Sequence, residues 1–134
     1  MKINYDCIRE LLIVLENNLI FSENLEYPSL GLKEVCELLP NFSKQDIVYS
    51  TMMLNQSDYI NARIIGADNC VLECIYTSIT FAGHQFLENI KSDNVWNKTK
   101  EVSKSIGSSS LEVITSIATN ILTSLISNKL QLPL

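Results

Sequence analysis

Apolar positions recur with helical spacing in the first part of the chain, which predicts helices there. Asn4 or Asp6 can cap a first helix that runs to about Asn18. Residues 30–39 are predicted to form a short second helix, which Pro40 ends because proline lacks the backbone N–H that a helix interior needs. Each helix carries one apolar face, as is typical of helices that pack on a core.

A third helix is predicted from its N-cap, Ser43, to about Gln56. Helical periodicity turns Ile47, Thr51 and Leu54 inward. The predicted outward surface consists of Lys44, Gln45, Val48, Tyr49, Met52 and Gln56. Its valine, tyrosine and methionine side chains favour contact with a protein, whereas its glutamines could contact an adenine edge in the major groove of DNA.

Alternation of polar with β-branched or aromatic residues then predicts two strands, "YINARIIG" and "CVLECIYTSI", joined as a hairpin after Gly66. A helix follows in "ITFAGHQFLENI", where Thr80 is the predicted cap and Gly83 permits a close approach of backbones. The order of elements predicts an α+β winged helix-turn-helix domain over residues 1–92, with three helices and a β-hairpin wing. Residues 93–134 are predicted to form a helical C-terminal extension.

Three stretches of the chain resemble a family of small bacterial and phage proteins, the domain of unknown function 2513. They are "MKINYDCIRELL", "ITFAGHQFLENIKSDNVWNKTK" and "SSSLEVITSIATNIL", so the resemblance covers nearly the whole chain. In the third helix Ile47 and Tyr49 match the family, but Ser50 stands where a histidine is common. The resemblance implies a phage or prophage setting and brings no established activity.

The last predicted helix, residues 110–130, is amphipathic and follows "SKSIGSSS", which predicts a hinge near residues 103–109. Ser109 and Glu112 have the spacing of a capping box. The predicted oligomer interface is its apolar stripe, which has the spacing of a coiled-coil seam: Leu111, Ile114, Ile117, Ala118, Ile121, Leu122 and Leu125. Three placements stay open. A second copy or partner protein is favoured over packing on the helix's own domain, and a membrane surface is disfavoured because the polar face is poor in basic residues.

The charge balance bears on the choice of partner. The chain has a net charge of −5. Residues 1–80 carry five Lys or Arg against eleven Asp or Glu, a net of −6, and residues 81–134 carry five lysines against four acids, a net of +1. Nucleic acid is therefore a possible but disfavoured partner, because affinity for a duplex comes largely from basic residues that neutralise phosphates.

Candidate chemistry is scarce in this sequence. His84 is the sole histidine, so a His/Cys zinc site would need three of the four scattered cysteines as well, and we expect a structural or surface role for His84. No glycine-rich phosphate loop or hydrolase motif is present. We therefore predict no catalytic residues, no metal, no cofactor and no enzymatic activity.

The N-terminus lacks the features of a signal peptide, and no apolar run is long enough to predict a membrane span. A cytoplasmic location is expected. The predicted function is that of a non-enzymatic, phage- or prophage-type small protein that acts by protein–protein contact and self-associates through its C-terminal helix. The alternative is a winged-helix DNA-binding transcription regulator.

Overall fold

The computed structural model describes residues 1–107 and 110–130. Its elements are α1 (Tyr5–Asn18), β1 (Leu30–Gly31), α2 (Leu32–Leu38), α3 (Lys44–Gln56), β2 (Ile60–Ala67), β3 (Cys70–Ile79), α4 (Phe81–Ile90), α5 (Asp93–Ile106) and α6 (Leu111–Leu130). They form two compact units, Met1–His84 and Gln85–Leu134. The boundary between the units falls inside α4, whereas the sequence placed it at residue 92.

The first unit is a winged helix, which confirms the predicted α+β class. Its antiparallel sheet has the order β1-β3-β2, and β2 and β3 form the wing. Asp68 and Asn69 join these two strands with positive φ angles of 52° and 62°. A two-residue turn of this kind matches the right-handed twist of the paired strands. Helix α1 packs against α3 and β3, and α3 also packs against β2.

Side-chain caps set the starts of α1 and α3 at the predicted residues. The Asn4 side chain accepts a hydrogen bond from the Cys7 N–H at 3.1 Å and donates another to the Asp46 carboxylate at 3.1 Å. Ser43 Oγ accepts from the Asp46 N–H at 3.0 Å. Because Asp46 belongs to the first turn of α3, the Asn4–Asp46 bond also fixes the start of α1 against the start of α3.

The second helix begins later than predicted. Leu30 and Gly31 pair with Tyr76 and Ile75 as the short strand β1, so the prediction of helix for these two residues was wrong. The Glu73 carboxylate accepts a hydrogen bond from the Leu32 N–H at 2.8 Å and thereby satisfies one of the free N–H groups at the start of α2. Pairing across the sheet thus competes with helix formation and wins at these two residues.

Thr80 and Gly83 act at the wing-to-α4 junction as predicted. Thr80 Oγ1 accepts from the Gly83 N–H at 3.0 Å and donates to the Asp58 carbonyl at 2.6 Å. A Cβ atom on Gly83 would lie only 2.0 Å from the Tyr59 carbonyl oxygen. The absence of a side chain at residue 83 is therefore what lets α4 lie directly against the backbone that leads into the wing.

The second unit is built on a pair of packed helices, α5 and α6. The buried residues of these helices are Val95, Trp96, Thr99, Ser103, Ile114, Ala118 and Ser127. Asn89 of α4 donates a side-chain hydrogen bond to Thr119 of α6 at 3.3 Å. In the part of the chain that the structure describes, no helix is both long and apolar enough to cross a membrane.

The first part of the predicted hinge near residues 103–109 belongs to α5. Residues 103–106 are helical, and Ser103 is buried. Helix α5 ends at Ile106 and is capped by Gly107, whose φ of 78° is easy for glycine. The predicted cap Ser109 lies outside the described residues. Ser110 Oγ accepts the hydrogen bond of the Val113 N–H at 3.2 Å and so caps α6.

Candidate functional site

The candidate site is a shallow groove of about 380 Å³ between α3 and the wing, which we call the α3–wing groove. It is lined by Met1, Leu32, Lys44, Gln45, Val48, Tyr49, Met52 and Val71. Five of the six residues predicted for the outward surface of α3 therefore lie together. The sixth, Gln56, is exposed at the end of α3 and is not part of the lining.

Because one face of α3 is buried in the core, the side chains of the opposite face lie in the groove. Ile47, Thr51 and Leu54 are fully buried, as predicted. Thr51 Oγ1 donates to the Ile47 carbonyl at 2.8 Å, so its hydroxyl proton is already used. The Tyr76 hydroxyl, 2.6 Å away, is then the donor to Thr51. This buried bond joins α3 to the central strand β3 and turns the opposite face of the helix outward.

The α3–wing groove is mainly apolar and has a small positive charge. Lys44 is its charged side chain, and among the described residues its lining contains no carboxylate. The acidic balance of residues 1–80 therefore lies elsewhere on the first unit. A surface of this composition resembles the core of a protein interface more than a surface that follows phosphates.

A second depression adjoins the groove and shares Leu32 and Lys44 with it. Lys33 and Glu37 also line it, together with Glu73 of the wing. The N–H groups of Leu32 and Cys74 donate to the Glu73 carboxylate, and these bonds hold its pKa below the ordinary value. Leu72 at the same edge is exposed, so apolar surface continues from the groove onto the wing.

The residues of the predicted oligomer interface on α6 differ in how far they are buried. Ile114 and Ala118 are buried at 2% and 0% exposure, so the protein's own packing already covers them. The half-buried members are Leu111, Ile117, Ile121, Leu122 and Leu125. Two further apolar residues near the end of α6, Ile126 and Leu130, are exposed.

Side chains with possible chemistry are dispersed. His84 is exposed on α4. Burial raises the pKa of the Cys7 and Cys74 thiols, which makes them poor nucleophiles. Within residues 1–107 and 110–130, no three His, Cys, Asp or Glu side chains are grouped so that they could hold a metal ion. The absence of catalysis and of cofactors stays a prediction.

Two features of the surface were not predicted. Met1, Leu32 and Val71 complete the α3–wing groove, although they are distant from α3 in the sequence. A group of exposed apolar side chains also occupies the segment between α1 and β1. The apolar residues in "LIFSENLEY" were a possible signal for it, because a solvent-exposed loop rarely needs so many.

Comparisons with known proteins identify relatives. The family described as "Hypothetical protein (DUF2513)" matches residues 2–110. An uncharacterized protein of Haemophilus influenzae is 28% identical over 131 residues, which cover 94% of this chain and 99% of the relative. Among solved structures, TubR of Bacillus thuringiensis serovar israelensis, bound to 24 bp of tubC, is similar with a TM-score of 0.41 and 23% identity. The similarity covers 64% of this chain and 80% of TubR.

Proposed function

The chain belongs to the DUF2513 family, and we propose that it is a non-enzymatic protein that acts by protein–protein contact through the α3–wing groove. The apolar lining of this groove is the observation that carries the proposal. Val48, Tyr49 and Met52 are only half-buried there, and Val71 is exposed. Aromatic residues and methionine are enriched at protein interfaces, where a partner removes them from water.

The chemistry of the groove defines the partner. It suits an apolar face presented by another protein, such as one side of an amphipathic helix. Full burial of a large apolar side chain contributes about 1.5–3 kcal/mol. Several such side chains are needed, because association costs at least about 4 kcal/mol in lost translational and rotational freedom. The groove offers six apolar lining residues for this purpose.

Site-specific photo-crosslinking in cells that naturally make the protein tests this proposal. A photoreactive residue at Met52 should give one defined adduct with a partner protein, and the added change Val48→Glu should abolish it. Phe81 is the matched control position, because it is exposed in the same unit and does not line the groove. The proposal fails if Met52 gives no adduct, or if both positions give the same one.

Duplex DNA is the second candidate partner, and the polar residues of α3 favour it. Lys44, Gln45 and Gln56 are exposed on a helix that a winged-helix fold presents outward. Glutamine can bond the edge of adenine, and lysine can contact a phosphate. The net charge of −6 over residues 1–80 opposes this function.

A fluorescence-anisotropy titration with random-sequence duplex DNA at low salt separates the two candidates. The protein-contact proposal expects no binding. The DNA candidate expects binding that weakens with salt, and Lys44→Gln should lower the slope of log K against log [salt] by about 0.9, the value for one phosphate contact.

Self-association through α6 is part of the proposed function. Ile126 and Leu130 are exposed there, and Ile117, Ile121 and Leu125 are half-buried. Light scattering on a sizing column should show a dimer or larger species for the full chain. The double variant Ile126→Asn, Leu130→Asn should be a monomer of unchanged helical content. If the full chain is a monomer, this part of the proposal is wrong.

The cytoplasmic location and the phage or prophage setting stay predictions.

A further inference from the structure

The segment between α1 and β1 exposes an unusual number of large apolar side chains. Ile20, Phe21, Leu25 and Tyr27 are 68%, 56%, 76% and 91% exposed. Single apolar residues on a surface are common, but several within one short segment indicate a contact site, and the rings of Phe21 and Tyr27 are in contact. We call this group, with the cavity beside it, the loop patch.

The loop that carries the patch has a defined backbone. The Leu25 N–H donates to the Ser22 carbonyl at 2.9 Å, and the Glu26 N–H donates to Ser22 Oγ at 3.1 Å. Leu25 has a φ of 61°, a left-handed conformation that is unfavourable for leucine. The turn therefore leaves the Leu25 side chain exposed to water although its backbone conformation is strained. Strained backbone of this kind is concentrated at binding sites.

A cavity of about 410 Å³ opens beside two residues of the group, Phe21 and Tyr27. The Phe21 and Tyr27 rings, with centroids 6.0 Å apart and planes tilted by 50°, form part of its wall. The remaining lining residues are Leu15, Glu16, Leu19, Pro28, Thr77, Ser78, Ile79 and His84. An aromatic pair beside a mainly apolar cavity is the kind of centre that carries most of the binding energy in protein interfaces.

The surroundings of the loop patch are acidic. Glu16 lines the cavity, and Glu23 and Glu26 belong to the loop itself. The sequence has no lysine or arginine between Arg9 and Lys33. This charge repels nucleic acid and anionic membrane surfaces, and it attracts a partner that carries Lys or Arg.

We propose that the loop patch binds a basic, apolar segment of another protein. The segment places an aliphatic or aromatic anchor in the cavity beside Phe21 and Tyr27. Its Lys or Arg residues lie against Glu23 and Glu26 of the loop. This site is separate from the α3–wing groove, with which it shares no lining residue, so either proposal can fail without the other.

Selection from a displayed library of random short peptides on the full-length protein provides the first test. The enriched peptides should combine an apolar anchor with Lys or Arg. The double variant Phe21→Ser, Tyr27→Ser should weaken their binding at least about tenfold in fluorescence anisotropy, the loss expected for an interface anchor. Phe81→Ser, which removes another exposed aromatic ring of the same unit, should leave binding unchanged.

Charge variants provide the second test. Glu23→Gln with Glu26→Gln should weaken the selected peptides severalfold and flatten the salt dependence of binding. Glu37→Gln with Asp68→Asn removes the same charge from other exposed positions of the first unit and should change little. All four variants should keep the wild-type circular dichroism spectrum, because the altered side chains are exposed.

Three results would overturn the proposal. One is a library that enriches no peptide, and another is enrichment of peptides without basic residues. The third is a patch that is covered by a second copy of the chain, which light scattering would reveal as a dimer that the Phe21→Ser, Tyr27→Ser variant dissociates.

Discussion

The wing-to-α4 junction has no room for a methyl group at Gly83. A Cβ atom there would lie 2.0 Å from the Tyr59 carbonyl oxygen and 2.8 Å from Cγ2 of Ile79. Cβ atoms in proteins essentially never lie within 3.0 Å of a non-bonded heavy atom from another part of the chain. Gly83→Ala must therefore move α4 away from the Tyr59 backbone by about 1 Å.

The cost of Gly83→Ala follows from this displacement. Overpacking costs about 1–3 kcal/mol. The movement also weakens the hydrogen bonds from the Thr80 N–H to the Tyr59 carbonyl and from Thr80 Oγ1 to the Asp58 carbonyl, at about 1 kcal/mol each. Replacing a helical glycine with alanine returns about 1 kcal/mol. We expect a net destabilisation of about 2–4 kcal/mol.

Urea unfolding followed by far-UV circular dichroism measures this free energy. Fluorescence of Trp96, the only tryptophan of the chain, follows the second unit separately. The control is Ala82→Ser, at the neighbouring exposed position, which should lower the free energy of unfolding by about 0.5 kcal/mol. If Gly83→Ala unfolds within about 0.5 kcal/mol of the wild type, the close approach of α4 to Tyr59 does not limit stability, and the argument is refuted.

Three further predictions concern the first unit. Tyr76→Phe removes the buried bond to Thr51 and should cost about 1–2 kcal/mol in urea unfolding; an unchanged midpoint would contradict the bond. Burial raises the pKa of Tyr76 well above its ordinary value of 10.0. Its contribution to stability is therefore complete below about pH 10 and is lost as the pH rises further, so Tyr76→Phe should show a shallower alkaline loss. The hydrogen bonds that lower the pKa of Glu73 contribute stability above its ordinary value of 4.5, and this contribution is lost as the pH falls through the lowered pKa. Glu73→Gln should accordingly lose less stability on acidification, and an identical acid profile would argue against these bonds.

The sequence predicted the fold best where local caps and periodicity agree with the packing of the core. Ser43 caps α3 and Ile47 faces inward, as its position in the helical repeat predicted. Thr80 and Gly83 predicted the wing-to-α4 junction, because a helix cap and a close backbone approach each require particular residue types. The outward surface of α3 followed from the same periodicity, and five of its six residues lie in the groove.

Predictions from local sequence failed where contacts with a distant part of the chain decide the structure. Leu30 and Gly31 have an acceptable helical pattern, but β3 offers their backbone a partner, and they form a strand. On α6, periodicity identified an apolar stripe without showing which part of it the protein itself covers, and Ile114 and Ala118 proved to be buried.

The sequence alone therefore predicted the order of the helices in the first unit, the wing, the α+β class and the outward face of α3. Each depends on periodicity, capping or turn chemistry within a few residues of chain. Only the tertiary structure brought Met1, Leu32 and Val71 to the groove. It alone also set Phe21 and Tyr27 beside one cavity. A binding surface joins residues that are far apart in sequence, and the free energy that places them together comes from the core beneath them rather than from the surface residues themselves.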